Sequence, residues 1–197
     1  MSSHDVPDDM KTDTLKNISE YRVVERINKD VGARFMHGCY YKKDVKSDPL
    51  NFICVKALKR IPILRKLDEQ DLIGFCEHKF ITTNDKDTLI TRAGQELFNM
   101  YLIIDGVIAC NDPETMSTQT MHRYDCVGQE LLRWAILNYK RSEEQRERRP
   151  ISTVDAKCLT DGEAFGIHAS DLLEILQKFI YSWPALAAQI NGLRSGC

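Results

Sequence analysis

Seven cysteines and five histidines are the residues of this chain best suited to hold a metal or do redox chemistry, and their spacing argues against both. Cys39, Cys54, Cys76, Cys110, Cys126, Cys158 and Cys197 are widely scattered, with no C-x-x-C pair. A zinc site or a compact disulfide framework needs closely spaced ligands, so reduced and mostly buried thiols are the expectation. The histidines are isolated and no H-E-x-x-H pattern occurs, so no metal centre is predicted. Asp, His and Ser are present, as in any chain of this size, but no nucleophile elbow or P-loop organises them. The chain is therefore read as a non-enzyme without a cofactor. Arg146, Arg148 and Arg149 fall in the run KRSEEQRERR, from Lys140 to Arg149, where Glu143, Glu144 and Glu147 offset the charge. That run is expected to be a solvated, mobile insertion.

The elements that must position any site follow from composition and pattern. With 197 residues, 43% hydrophobic and 28% charged, the chain can bury one sizeable core, so one main domain with appended segments is expected. A formal net charge of −2 gives no overall field to attract nucleic acid or anionic lipid. The stretch Tyr101–Cys110 is interrupted by Asp105 and falls short of the ~20 apolar residues of a membrane-spanning helix. The polar, acidic start lacks the features of a secretory or organelle signal, which makes cytoplasmic residence the default.

Residues 1–14 are rich in Ser, Asp and Lys and are expected to be disordered. Leu15, Ile18, Val24, Ile27 and Val31 then suggest an amphipathic helix capped by Asp13 or Thr14, followed by a polar connector over 32–49. Helices are predicted over Phe52–Leu58 and Leu64–Phe75, separated by Pro62, with Asp68 and Asp71 suiting the second helix's dipole. Short β-rich runs follow: Lys79–Thr83, Thr88–Thr91, Asn99–Ile104, Val107–Cys110, Thr118–Arg123, Thr153–Cys158 and Ala164–His168. Gly94 and Gly106 sit where turns need positive φ. Ser170 is a candidate N-cap for a helix over Asp171–Ile180, and Pro184 opens another over Ala185–Leu193. Such a density of short strands implies a barrel or jelly roll flanked by helices.

Four segments in order resemble the cyclic-nucleotide-binding domain of plant cyclic-nucleotide-gated channels. ITRAGQELFNMYLIIDGVI (Ile90 to Ile108) resembles its central hairpin, and VGQELLRW (Val127 to Trp134) the start of its phosphate-binding cassette. PISTVDAKCLTDGEAFGI (Pro150 to Ile167) is similar to the strand pair closing the cassette, and CVKALKRIPIL (Cys54 to Leu64) to the last linker helix. The resemblance covers roughly residues 54–180. It implies an α+β fold, a β-roll of the jelly-roll type flanked by N- and C-terminal helices. The parts would be a start and N-terminal helical segment (1–50), linker helices (51–77), the barrel (78–169) and C-terminal lid helices (170–197). It further implies a truncated regulatory module without a pore, at the cytoplasmic face of a membrane if part of a full-length channel, with channel subunits as partners.

The same resemblance implies a site for cAMP or cGMP. Backbone N–H groups at the start of a short helix, with a bidentate cation, would hold the phosphate. Gly128 matches the cassette glycine. Gln129 stands where the family usually has the glutamate that accepts the ribose hydroxyl, with Glu130 next to it. Ser152 aligns with the phosphate-gripping arginine of animal members and Thr153 with the threonine after it. Loss of that arginine removes a contact typically worth about 1.5–3 kcal/mol, so weak nucleotide binding is expected. Arg133, Arg148 and Arg149 are candidate substitutes. Trp134 and Phe165 would either wall the pocket or, as the preferred reading, sit in the core.

Plant channels of this type are calmodulin targets. Here Leu173, Ile175, Leu176, Phe179, Ile180 and Trp183 make an apolar face beside Lys178, which suits either a groove-docking helix or packing on the barrel, the latter preferred. The competing reading is a protein-interaction scaffold, or a soluble modulator of full-length subunits, that kept the barrel and lost the ligand.

Overall fold

The computed structural model describes residues 49–179, so the expectations for 1–48 and for the segment after Phe179 lie outside the described residues. The chain divides into two compact units, Met1–Phe52 and Ile53–Cys197, and the barrel belongs to the second.

Helix α1 (Pro49–Leu58) covers the first predicted helix. The second, α2, spans Glu69–Cys76 rather than Leu64–Phe75. The difference has a local cause. Around Pro62 the backbone is spent on tight turns, with Leu64 N donating to Ile61 O at 3.0 Å and Leu67 N to Leu64 O at 3.1 Å. Asp68 then stops them by capping α2, its carboxylate accepting from Asp71 N at 2.9 Å.

Eight antiparallel strands follow: β1 (Phe80–Asn84), β2 (Leu89–Thr91), β3 (Asn99–Asp105), β4 (Ile108–Asp112), β5 (Ser117–Met121), β6 (Cys126–Val127), β7 (Asp155–Cys158) and β8 (Gly162–His168). They form two four-stranded sheets, ordered β1-β8-β3-β6 and β2-β7-β4-β5, the jelly-roll arrangement that was expected. Seven strands match predicted runs within a few residues; β6, two residues long, carries no periodicity and was not predicted. Gly94 (φ +81°) and Gly106 (φ +90°) occupy the left-handed region as anticipated.

Strand β3 explains the continuous apolar run MYLII. Ile103 and Tyr101 face the space between the sheets, joining a cluster with Ile108, Cys110, Val127, Ala156 and Cys158. Met100, Leu102 and Ile104 alternate with them and are also buried, so both faces of the strand are covered. Helix α3 (Glu130–Asn138) packs on β3, and α4 (Ala169–Phe179) on β8, α2 and α3. Phe165 and Trp134 are core residues, 0% and 9% exposed, consistent with the preferred reading of both.

Helix α4 begins one residue before Ser170, which is therefore not its N-cap; the Ser170 hydroxyl donates to Asp171 Oδ1 at 3.3 Å. Leu172, Leu173, Ile175 and Leu176 are buried, which assigns the apolar face of α4 to packing. Of the calmodulin candidates, Leu176 is thus inside the fold. The Phe179 side chain, Ile180 and Trp183 lie outside the described residues.

Candidate ligand site

A hollow of about 550 Å³ opens beside the β2–β3 connection, lined by Ile90, Thr91, Arg92, Gln95, Glu96, Leu97, Phe98, Asn99 and Tyr101. Its outer wall is fixed by a short ladder between 94–97 and 150–152. Gly94 N donates to Ser152 O at 2.8 Å, Ser152 N to Gln95 O at 2.8 Å, and Leu97 N to Pro150 O at 2.9 Å, with Glu96 opposite Ile151. The ladder sets Arg149 beside Glu96. Arg149 Nη2 donates to Glu96 Oε2 at 2.8 Å, and the guanidinium lies 4.2 Å from the centroid of the Phe98 ring. Arg149 Nε is buried without a hydrogen-bond acceptor, so the cation has donor capacity in reserve. The pair is about a third exposed on both sides, so it contributes only about 1 kcal/mol or less.

The inner wall is polar where Asn99 and Tyr101 meet. Asn99 Nδ2 donates to Tyr101 Oη at 2.9 Å, leaving the phenol hydrogen for another acceptor, and Asn99 Oδ1 is in contact with His168 Nδ1. The His168 ring stacks on Phe80, which meets Tyr101 edge-on. None of these residues was singled out from sequence, because an Asn, a Tyr and a His in alternating strand positions carry no local signature.

The start of α3 adjoins this wall through the backbone. Tyr101 pairs with Val127, and Gly128 (φ +78°) lies so close to β3 that an added Cβ would stand 2.9 Å from Asn99 O. Any side chain there would have to push a strand carbonyl aside in a conformation it disfavours. Gln129 caps α3 without a side-chain hydrogen bond, and Gln129 and Glu130 are exposed. None of Gly128, Gln129, Glu130, Ser152, Thr153 and Arg149 lines the hollow directly; Arg149 reaches it through Glu96 and Phe98. Ser152 is buried, and its hydroxyl is committed to Val154 O at 2.7 Å, while Thr153 is exposed. Arg133 and Arg148 are exposed on the surface.

The charged run after α3 is fastened rather than mobile. Asn138, fully buried, donates from Nδ2 to Trp134 O and accepts Glu147 N at its Oδ1, both at 2.9 Å. Trp134 Nε1 donates to Glu147 O at 2.9 Å, and Arg141 pairs with Glu147 at 2.6 Å. The run thereby returns to the barrel at Arg149 along a defined path.

Among the described residues, Cys110, Cys126 and Cys158 are free thiols, and Cys54 and Cys76 are buried. Burial, and secondarily the Glu130 carboxylate, push the Cys110 thiol up to about 11; the same causes raise Cys126, and burial raises Cys158. The Cys110 and Cys158 thiols between the sheets are therefore held neutral and unreactive. Because Cys110 titrates higher folded than unfolded, its contribution is complete below the ordinary thiol value near 9 and is lost as pH rises towards 11. Urea unfolding should show stability falling by on the order of 2 kcal/mol across that window, and Cys110→Ala should flatten the slope. An unchanged slope in the variant would remove Cys110 as the cause.

No protein-family model matches the chain. Among curated proteins, "Cyclic nucleotide-gated ion channel 1" of Arabidopsis thaliana is 30% identical over 142 residues, covering 70% of this chain and 19% of the channel. "Probable cyclic nucleotide-gated ion channel 16" of the same plant is 27% identical over 141 residues, 69% of this chain and 19% of its own length. The chain thus spans about a fifth of the length of these relatives. No helix among the described residues is long and apolar enough to cross a membrane. Among solved structures, the regulatory subunit of a cAMP-independent protein kinase A from Trypanosoma brucei aligns with TM-score 0.52 at 17% identity, covering 71% of this chain and 45% of that one. The structure described as cAMP-bound PfPKA-R aligns with TM-score 0.50 at 16% identity, covering 72% and 46%. These relatives are channels and regulatory domains. Over about 70% of its length this chain is a homologue of plant cyclic nucleotide-gated ion channels, and its fold is that of a cyclic nucleotide-binding domain.

Proposed function

We propose that this chain is a regulatory module that holds cAMP or cGMP weakly at the hollow and conveys its occupancy to channel subunits. The working parts are the linker helices (51–77), the barrel (78–169) and the lid segment (170–197). The observation that carries the reading is Arg149, held at the rim of the hollow by the ladder between 94–97 and 150–152 and engaged with Glu96. A cation is present for a phosphate, but an internal carboxylate competes for it. Gly128 and the start of α3, with Gln129 and Glu130, would supply further polar contacts; Ser152 contributes backbone only, and Thr153 is open to solvent. A change in occupancy matters to a channel only if ligand favours one of two arrangements of the helices around the barrel. The channel homologues support subunits as partners. Calmodulin would engage the end of the lid around Phe179, Ile180 and Trp183, with Leu176 requiring release of α4 from its packing.

A ligand-independent scaffold is the second reading, favoured by the commitment of the Ser152 hydroxyl to Val154 and by the shared fold of a regulatory subunit described as cAMP-independent. Capture of full-length plant channel subunits by the purified chain, with and without cAMP or cGMP, separates the two. The regulatory reading expects capture that changes with nucleotide. Capture indifferent to saturating nucleotide would favour the scaffold.

A further inference from the structure

Away from the hollow, three metal-ligating side chains distant in sequence converge. His78, Asp171 and Glu174 each offer a donor atom, and these atoms all lie within 4.8 Å of one another. The frame beneath them is well packed. His78 follows directly on α2, its backbone N donating to Phe75 O at 3.3 Å. Asp171 and Glu174 stand three residues apart in the first turns of α4 and so share one face. α2 and α4 pack together, with Leu72, Phe75, Leu172 and Ile175 buried.

Two carboxylates at this separation repel each other, and among the described residues no lysine or arginine forms an ion pair with either. The contact recorded for them is the Ser170 hydroxyl on Asp171 Oδ1 at 3.3 Å. A dication answers that imbalance, and the imidazole selects its class. Mg²⁺ and Ca²⁺ take oxygen ligands, whereas one nitrogen with two carboxylates suits Zn²⁺.

We propose that His78, Asp171 and Glu174 form a Zn²⁺-type site that ties the start of α4 to the end of α2. Donors bound at ~2.1 Å stand about 3.5 Å apart around a tetrahedral ion, so rotation of the exposed Glu174 and the half-exposed His78 closes the site. Water fills the fourth position on the open side. The metal joins the segment after the barrel to the linker helix before it, so occupancy stiffens the contact through which α4 would move relative to α2.

The test is calorimetric titration of the chelator-treated full chain with ZnCl₂, and separately MgCl₂, together with thermal unfolding. The proposal expects a saturable Zn²⁺ site that raises the unfolding temperature and no comparable response to Mg²⁺. His78→Ala and Glu174→Gln should each weaken Zn²⁺ binding at least tenfold while unfolding without metal as the parent does. Zn²⁺ affinity unchanged in both variants would place the ion on cysteines elsewhere and overturn the site. So would an equal Mg²⁺ response, or no saturable Zn²⁺ heat.

Discussion

Asn138→Ala lowers the stability of the fold by about 2–4 kcal/mol in urea unfolding, a larger loss than any nearby surface change should produce. Asn138 is fully buried at the last turn of α3, and its amide serves both directions. Nδ2 satisfies Trp134 O, and Oδ1 satisfies Glu147 N while also receiving Arg141 Nη1 at 3.4 Å. Alanine leaves these groups in a buried setting without partners and opens a small void. It also releases the return path that delivers Arg149 to the rim. Arg141→Ala is the matched control: it removes the ion pair with Glu147, half-exposed on both sides, and should cost about 1 kcal/mol or less. Equal losses in the two variants would show that Asn138 is not the hub.

Arg149→Ala weakens cyclic nucleotide binding by about ten- to hundredfold, and Glu96→Gln strengthens it. Both changes fall on one ion pair, yet the proposal has them move affinity in opposite directions, with Arg149 as the phosphate's partner and Glu96 as its rival. The Glu96→Gln gain is bounded by the modest strength of a part-exposed pair, about a few-fold. Both side chains are partly exposed, so the fold should tolerate either substitution. If both variants bound less tightly, Glu96 would be a ligand contact rather than a competitor.

The parts of this fold legible in sequence are those whose cause is local. The β-rich run at 99–104 and the positive-φ glycines at 94 and 106 place the hairpin closely, because strand propensity and turn chemistry act over a few residues, whereas the helix after Gly128 is expected only from the resemblance of VGQELLRW to a phosphate-binding cassette. Errors cluster where a single cap or turn decides an end. Asp68, not the apolar residues from Leu64, sets the start of α2, and α4 starts at Ala169, directly after β8 and one residue ahead of Ser170. The site was less legible because it is built from distant pairs. Arg149 and Glu96 lie 53 residues apart and meet only because the ladder forms, and Asn99 meets His168 only across the β3–β8 register. The charged run read as mobile because its tether, Asn138 to Glu147, joins a buried amide to a backbone group that no sequence pattern marks.

Calorimetric titration of the purified chain with cAMP and cGMP, beside Arg149→Ala and Glu96→Gln, bears most directly on a weak anion site guarded by its own carboxylate. Affinity no tighter than micromolar in the parent, reduced in the first variant and raised in the second, is the predicted result. Submicromolar binding by the parent, or binding indifferent to Arg149, would contradict it.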